Sequence, residues 1–347
     1  MRETDYIVVG AGIAGITLCE RIEARGLTYV VIDSAENVAT KVAGGVVNPV
    51  VLKRYNPVWK ATQFVKEASS FYKGLASKHN IAFLDLQPLY RIFFDIEEQN
   101  DWMVASDSPV LAPLMSSELK ENDNPNVKAD LGLGQVLSTF RVDTDTLLKE
   151  YHRLLQHSDR FLKESFEYYK LTVTDDALQY KNISAKKIIF AEGASAANNP
   201  HFIPSCLIPK KGEYITFRAP DLQLNAVLKG TYFIIPLGND RYQAGATFAH
   251  GDTTFETTQQ GRKQLEKAVS KMINCSFEIV DQVAGMRPTT SDRRPVLGSV
   301  NDERLLFFNG LGTRGLLMAP LLSEWLLSFA EDDQKLPPEV DIKRFIQ

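Results

Sequence analysis

The sequence predicts an α/β fold: a mostly parallel sheet covered by helices, carrying an inserted α+β domain built on an antiparallel sheet. Three observations predict it. The chain opens with a strand, a glycine-rich turn, a helix, a second strand and an acid, in that order. Residues 208–283 read instead as spaced strands crossed by one helix. Near the other end, residues 305–329 repeat the strand, glycine turn and helix. Parallel strands need helical crossovers, whereas runs of strands with one covering helix build a separate layer.

The first strand is Asp5–Gly10, a short β-rich apolar run of the kind buried on both faces of a parallel sheet. Gly10-Ala-Gly12-Ile13-Ala14-Gly15 follows, then a helical pattern from Ile16 to Arg25 that ends at Gly26. Leu27–Ile32 is the second strand and runs into Asp33 and Ser34. The loop Val42–Pro49 contains Gly44, Gly45 and Asn48, and Pro57–His79 reads as one amphipathic helix with Trp59, Phe64, Val65, Phe71, Tyr72 and Leu75 on its apolar stripe. Ile81–Leu84 and Pro88–Asp95 read as strands, and residues 97–134 as irregular. Asp143 can cap a helix from Thr144 to His157. Lys187–Ala191 is a strand that turns at Gly193. Strands at Glu213–Arg218, Tyr232–Pro236, Tyr242–Thr247 and Phe277–Val283 surround a helix from about Thr254 to Asn274. This places residues 1–84, 135–207 and 284–347 in the nucleotide-binding domain, and 85–134 and 208–283 in the inserted substrate domain.

Composition limits the function. With 347 residues the chain has room for about two domains at ~100–200 residues each. A net charge of −4 gives no general case for nucleic acid or membrane, and leaves only a local basic patch open. No apolar run reaches the ~18–20 residues that span a bilayer. The core strand so near the N-terminus leaves no room for a secretory signal, so a cytoplasmic location is expected. Cys19, Cys206 and Cys275 are far apart and the five histidines are scattered, so neither a dithiol nor a metal site is expected.

The first motif has specific chemistry. Gly10 allows the tight turn, Gly12 lets backbone approach a pyrophosphate, and Gly15 lets the helix pack on the strand. The helix N-terminus offers amides and a positive dipole end to phosphate. Asp33 lies eighteen residues beyond Gly15, where an acid accepts from a ribose diol, and it disfavours a 2′-phosphate. FAD or NAD is therefore preferred to NADP. A second glycine turn into a helix, Gly312-Thr313-Arg314-Gly315-Leu316, is hard to explain by NAD alone and points to a larger cofactor.

GAGIAG with Asp33, AGGVVNP at 43–49, FAEG at 190–193, KGEY at 211–214, AGMRP at 284–288 and GTRGLLMAP at 312–320 resemble the D-amino-acid oxidase and glycine oxidase (DAO) family over nearly the whole chain. In QAGATFAHGDTTF, GMRPTTSDRRPVLGSV and GLGTRGL the C-terminal half is most similar to the FAD oxidase module of bifunctional enzymes that make 5-methylaminomethyl-2-thiouridine in tRNA. The resemblance implies an FAD-binding Rossmann-type, glutathione-reductase-like domain with an inserted substrate domain. It implies non-covalent FAD, held at its ADP half by Gly10, Gly12, Ile13, Ala14, Gly15, Asp33 and Ser34. Gly44, Gly45, Asn48, Ala191 and Gly193 would lie near the flavin, and Gly312, Thr313, Arg314, Gly315 and Leu316 along its pyrimidine end. Arg287 matches the arginine that clamps a substrate carboxylate. A family active-site tyrosine falls on Phe233, with Tyr232 adjacent; on a strand these two point to opposite faces, and which one faces the flavin is open.

Covalent attachment would need His or Cys beside the glycine motifs, and there is no His before His79 and no Cys after Cys275. Read without the resemblance, Arg287 serves equally as a structural partner for an acid. Arg314 opposes the dipole of the helix it precedes, which implies either an anionic partner, cofactor or substrate, or a side chain that reaches back to solvent. The pairs Lys210–Lys211 and Arg293–Arg294 read as solvated surface, or as phosphate contacts if the substrate is RNA. The implied activity is oxidation of a C–N bond beside a carboxylate, on an amino acid or N-substituted glycine, with tRNA a possible carrier. The alternatives are a 2-hydroxy-acid dehydrogenase on the same fold, and a flavin-bound sensor or scaffold.

Overall fold

The computed structural model describes residues 1–35, 39–249 and 251–346, so His250 of the QAGATFAHGDTTF stretch lies outside the described residues. The chain divides into two compact units. The first comprises Met1–Lys41, Thr144–Lys210 and Met286–Gln347, and the second comprises Val42–Asp143 and Lys211–Gly285.

In the first unit Arg2–Val9 is central, parallel to Tyr29–Ile32 on one side and to Ile183–Phe190 on the other. Phe161–Leu162 extends the sheet beyond Tyr29–Ile32, and Leu305–Asn309 runs parallel beside Ile188–Phe190. Ile7, Val8, Val30, Val31, Ile188 and Ile189 are fully buried, as continuous apolar runs covered on both faces must be. The helices Ile13–Ala24 and Gly315–Glu331 pack together and run parallel. Their N-terminal ends touch where Gly315 meets Ile13. Beyond the other end of the first helix, Arg25 donates to Glu324 at 2.8 Å, Asp332 at 2.9 Å and Ser328 at 3.0 Å.

In the second unit an eight-stranded sheet runs in the order 278–287, 210–218, 241–245, 233–238, 227–229, 89–92, 133–136, 115–120. Val227–Lys229 pairs parallel with Leu89–Ile92, while the pairings on either side of these two are antiparallel. The helix Gln259–Met272 covers one face through Leu265, Val269 and Met272, which pack on Ile92, Ile215, Phe217, Leu228, Ile234, Tyr242 and Ala244.

Several elements differ from the sequence expectation. Residues 42–84 and 135–143 group with the second unit. There Val46–Val47 and Leu84–Asp85 both pair with Phe140–Val142, and the Tyr72 ring meets Phe83 and Phe140 edge-on. The amphipathic helix starts at Ala61, because Asn56–Pro57 pairs with Val50–Val51; Trp59 therefore precedes it. The stretch 97–134 is not irregular: it holds most of the helix Ile96–Ser106 and the strands Met115–Lys120 and Leu133–Val136. Asp95 accepts from Glu98 N at 2.8 Å while Glu98 accepts from Phe94 N at 3.0 Å, a reciprocal cap that starts the helix. Its Trp102 is fully buried. The helix expected over 254–274 is Gln259–Met272, capped by Thr258. Among the described residues no helix is long and apolar enough to cross a membrane.

Candidate active site

The glycine turn of the first unit is built by steric necessity. Gly10 has φ +104°, outside the range of ordinary L-residues, and a Cβ there would strike Ala191 O. A Cβ on Gly15 would overlap Gly10 O, so glycine alone lets the helix approach the strand. Gly12 is the N-cap of that helix and supplies no side-chain cap; Ile13 and Ala14 are buried in its first turn. Thr40 Oγ accepts from Ile13 N at 3.1 Å. Asp33, at the end of the second strand, accepts from Ala11 N and from Ala35 N, the latter at 2.6 Å. A carboxylate has about four acceptor sites, so these amides orient it and leave room for two hydroxyls. Ser34 follows, half-buried.

Ala191 is held to the central strand by its N–H on Val9 O at 2.7 Å. Gly193 faces open space, with its carbonyl accepting from Asn309 Nδ2 at 2.8 Å. Between them, Glu192 takes hydrogen bonds from Tyr168 and Asn199, and its burial raises its pKa above the usual carboxylate range. At the second turn Gly312 donates to Pro288 O at 2.9 Å. Thr313 is exposed and Leu316 buried. Arg314 is the N-cap residue, again without a side-chain cap. Desolvation lowers its pKa to about 10, so it stays charged at neutral pH in surroundings that favour an anion beside it. Arg287 is half-buried at the end of the strand Glu278–Arg287.

Within the second unit the glycine loop lies against the sheet face opposite the helix. A Cβ on Gly44 would strike Ile235, and its N–H points to Tyr214 Oη at 3.4 Å. Gly45 exchanges backbone contacts with Val142, whose N–H donates to Gly45 O at 2.9 Å. Asn48 is buried, with Oδ1 accepting from Val50 N at 2.8 Å. Tyr232 and Phe233 separate as strand geometry requires. Tyr232 packs against the helix-side cluster and accepts from Gln264 of the covering helix. Phe233 lies on the other face, beneath the Lys229 ammonium at 5.0 Å.

One expectation is overturned here. Lys211 is not solvated surface: it is fully buried and bonds Asp252 at 2.6 Å and Thr254 at 3.1 Å, so it cannot reach a phosphate. Arg293 is exposed. Thr40, Arg91 and Lys229 were not singled out from sequence. Thr40 lacks any local signal, and the other two acquire meaning only through strand pairing.

These residues fit FAD. Two parallel helices present adjacent N-termini whose N-cap residues, Gly12 and Arg314, make no side-chain cap hydrogen bond, an arrangement whose like dipole ends repel unless negative charge lies nearby. The diphosphate of an elongated cofactor supplies that charge, and an electron-accepting ring would add to it on reduction.

Comparison with known proteins agrees. The family profile described as FAD dependent oxidoreductase (DAO) matches residues 5–328. The chain belongs to the DAO family of FAD-dependent oxidoreductases. DAO relatives include the tRNA 5-methylaminomethyl-2-thiouridine biosynthesis bifunctional protein MnmC of Marinobacter nauticus, 24% identical over 92% of this chain and 54% of its own length. The chain thus spans about half of that relative. The glycine oxidase of Bacillus licheniformis is 24% identical over 93% of this chain and 91% of its own length. Among solved DAO-like folds, glycine oxidase from Geobacillus kaustophilus superposes with a TM-score of 0.81 at 18% identity, covering 100% of both chains. Iminodiacetate oxidase from Chelativorans sp. BNC1 gives 0.77 at 20% identity, covering 98% of both chains.

Proposed function

We propose that this enzyme oxidises the C–N bond of a carboxylate-bearing amine, with an N-substituted glycine, R–NH–CH2–COO⁻, as the substrate class. The observation that carries the reading is the pair of adjacent helix N-termini in the first unit, taken with Arg287 at a strand end in the family motif AGMRP. The names of the relatives, glycine oxidase, iminodiacetate oxidase and the tRNA-modifying protein, support the amine.

In this reading Gly10, Gly12, Ile13, Ala14, Gly15, Asp33 and Ser34 hold the ADP half of FAD. Gly44, Gly45, Asn48, Ala191 and Gly193 lie along the ring system, and Gly312, Thr313, Arg314, Gly315 and Leu316 along its pyrimidine edge. Bound FAD supplies a two-electron acceptor for the hydride of the Cα–H bond. Arg287 holds the carboxylate by a planar fork and so fixes Cα for transfer, an effect of orientation. The amides at 312–316 and the charge of Arg314 stabilise negative charge that develops nearby. Phe233 gives the substrate an apolar wall. Water then adds to the C=N bond, releasing R–NH2 and glyoxylate.

The test is anaerobic flavin bleaching by sarcosine, glycine, D-alanine, iminodiacetate and tRNA bearing carboxymethylaminomethyl-uridine, with 2-hydroxy acids alongside. Bleaching by N-substituted glycines with release of glyoxylate is expected. Bleaching by 2-hydroxy acids alone overturns the reading. A tRNA-borne amine would betray itself by turnover that falls steeply with added salt.

A further inference from the structure

We propose that Lys229 recognises a second carboxylate on a small substrate, so that the preferred N-substituted glycine is a dianion. The inference rests on the reaction class proposed above and concerns the arm of the substrate distal to the reacting carbon.

Its starting point is a row of paired residues across five neighbouring strands: Arg91, Lys229, Phe233, Gly245 and Tyr214, each in register with the next. The residues beside them, Ile92, Leu228, Ile234, Ala244 and Ile215, pack into the helix-covered core. The period of two therefore turns the whole row to the opposite face, where Gly44 also lies. That face carries cations at one end, the Phe233 ring in the middle, and the glycine loop over Tyr214 at the other end.

The charges in the row do not balance. Arg91 is only 7% exposed, and its two terminal nitrogens are engaged while Nε is buried without a hydrogen-bond partner among the described residues: Nη2 lies 2.9 Å from Glu98 Oε1, and Nη1 donates to Gly230 O at 2.6 Å. Glu98 is committed too, since its second oxygen accepts from Phe94 N. Lys229 Nζ donates to Thr231 O at 2.6 Å and rests over the Phe233 ring, with N–H donors to spare. Burial, and then the nearby Arg91 charge, lower the Lys229 pKa to about 7, and Glu98 only partly offsets them. Whenever Lys229 holds its proton, two cations share one acid in partly desolvated surroundings. A carboxylate brought to Lys229 completes the neutralisation and restores the ammonium's hydrogen bonds.

A small anion suits this position better than a nucleic-acid backbone. Phosphates of RNA stay solvated and are met by exposed basic patches with strong salt dependence. Lys229 is half-buried against a ring and beside a buried guanidinium.

The experiment compares the holoenzyme with Lys229→Met, which keeps an apolar stem over Phe233 and removes the charge. Lys229→Arg is the charge-retaining control. The probes are sarcosine and glycines whose N-substituent ends in a carboxylate after one, two or three methylenes. The wild type should prefer at least one dianionic probe over sarcosine. In Lys229→Met the ratio of kcat/KM for that probe to kcat/KM for sarcosine should fall by about ten-fold or more, and Lys229→Arg should recover part of it. A ratio that does not move, or a wild type without dianion preference, overturns the proposal. A second arm needs no turnover: glutarate should raise the Tm of the wild-type holoenzyme more than butyrate does, and Lys229→Met should erase that difference. If no N-carboxymethyl amine bleaches the flavin but this dicarboxylate effect appears, the reaction class is wrong and the Lys229 assignment stands. If glutarate and butyrate act alike on the wild type, Lys229 does not bind a second carboxylate.

Discussion

The two units gather positive character in different ways. In the first it comes chiefly from the main chain, two helix N-termini reached through glycine turns with Gly315 against Ile13, to which the Arg287 and Arg314 side chains add. In the second it comes from side chains on a sheet face, Arg91 and Lys229, whose charge depends on burial and on Glu98. Main-chain donors are fixed by helix geometry and do not titrate, so they suit an invariant ligand. Side-chain donors can be moved, neutralised or replaced one at a time, so substrate preference can be adjusted on the second unit without disturbing the first.

Substitutions at four positions break or sharpen this contrast. The largest effect is expected for Gly15→Ala, whose Cβ would overlap Gly10 O. Helix and strand must separate, and the purified protein should lose its flavin absorbance or fail to fold; a yellow, stable variant would contradict main-chain recognition in the first unit. Next comes Arg287→Ala, which should keep FAD while carboxylate substrates lose about 2–5 kcal/mol in kcat/KM. Arg287→Lys should rescue poorly, because a point charge does not reproduce the fork. Flavin loss, or normal turnover, would make Arg287 structural. Asp33→Ala should weaken FAD retention by roughly 1.5–3 kcal/mol, measured as the dissociation constant of the reconstituted flavoprotein. Because Asp33 also holds Ala11 N and Ala35 N, Asp33→Asn tests whether charge or turn geometry matters more.

The smallest effect sits on the second unit and carries a sign. The folded Lys229 has a pKa of about 7 against an ordinary 10.5. Below 7 both folded and unfolded chains hold its proton, and folding bears the full cost of the buried charge. Between about 7 and 10.5 the unfolded chain binds more protons, so this group's contribution makes stability rise with pH. Lys229→Met should flatten that rise by about 1–2 kcal/mol after solvent screening, read from urea midpoints at several pH values. Wild-type and variant midpoints that run parallel across this range would show that Lys229 titrates normally.

Legibility followed the same division. The turn at Gly10–Gly15, the strand ending at Asp33 and the second turn at Gly312 could be placed from sequence because main-chain geometry dictates residue type. The helix Ile96–Ser106 went unread within a stretch rich in Asp, Ser and Asn, although Asp95 and Glu98 carry the spacing of a reciprocal cap. Lys211 looked like surface because its partner Asp252 comes forty-one residues later. The row from Arg91 to Tyr214 could not be read at all. It requires the parallel register between Leu89–Ile92 and Val227–Lys229, and neither strand encodes its partner.

Glu98 ties two properties of the second unit to a single carboxylate. One oxygen closes the cap that starts a helix, and the other holds Arg91 on the strand beside Lys229. Any substitution there must alter helix stability and the electrostatic field over Phe233 together. That coupling restricts the routes by which this face can change its charge. Lys229 is the position free to vary alone, and divergence in ligand preference among proteins sharing this face should therefore concentrate at the lysine and leave the acid untouched.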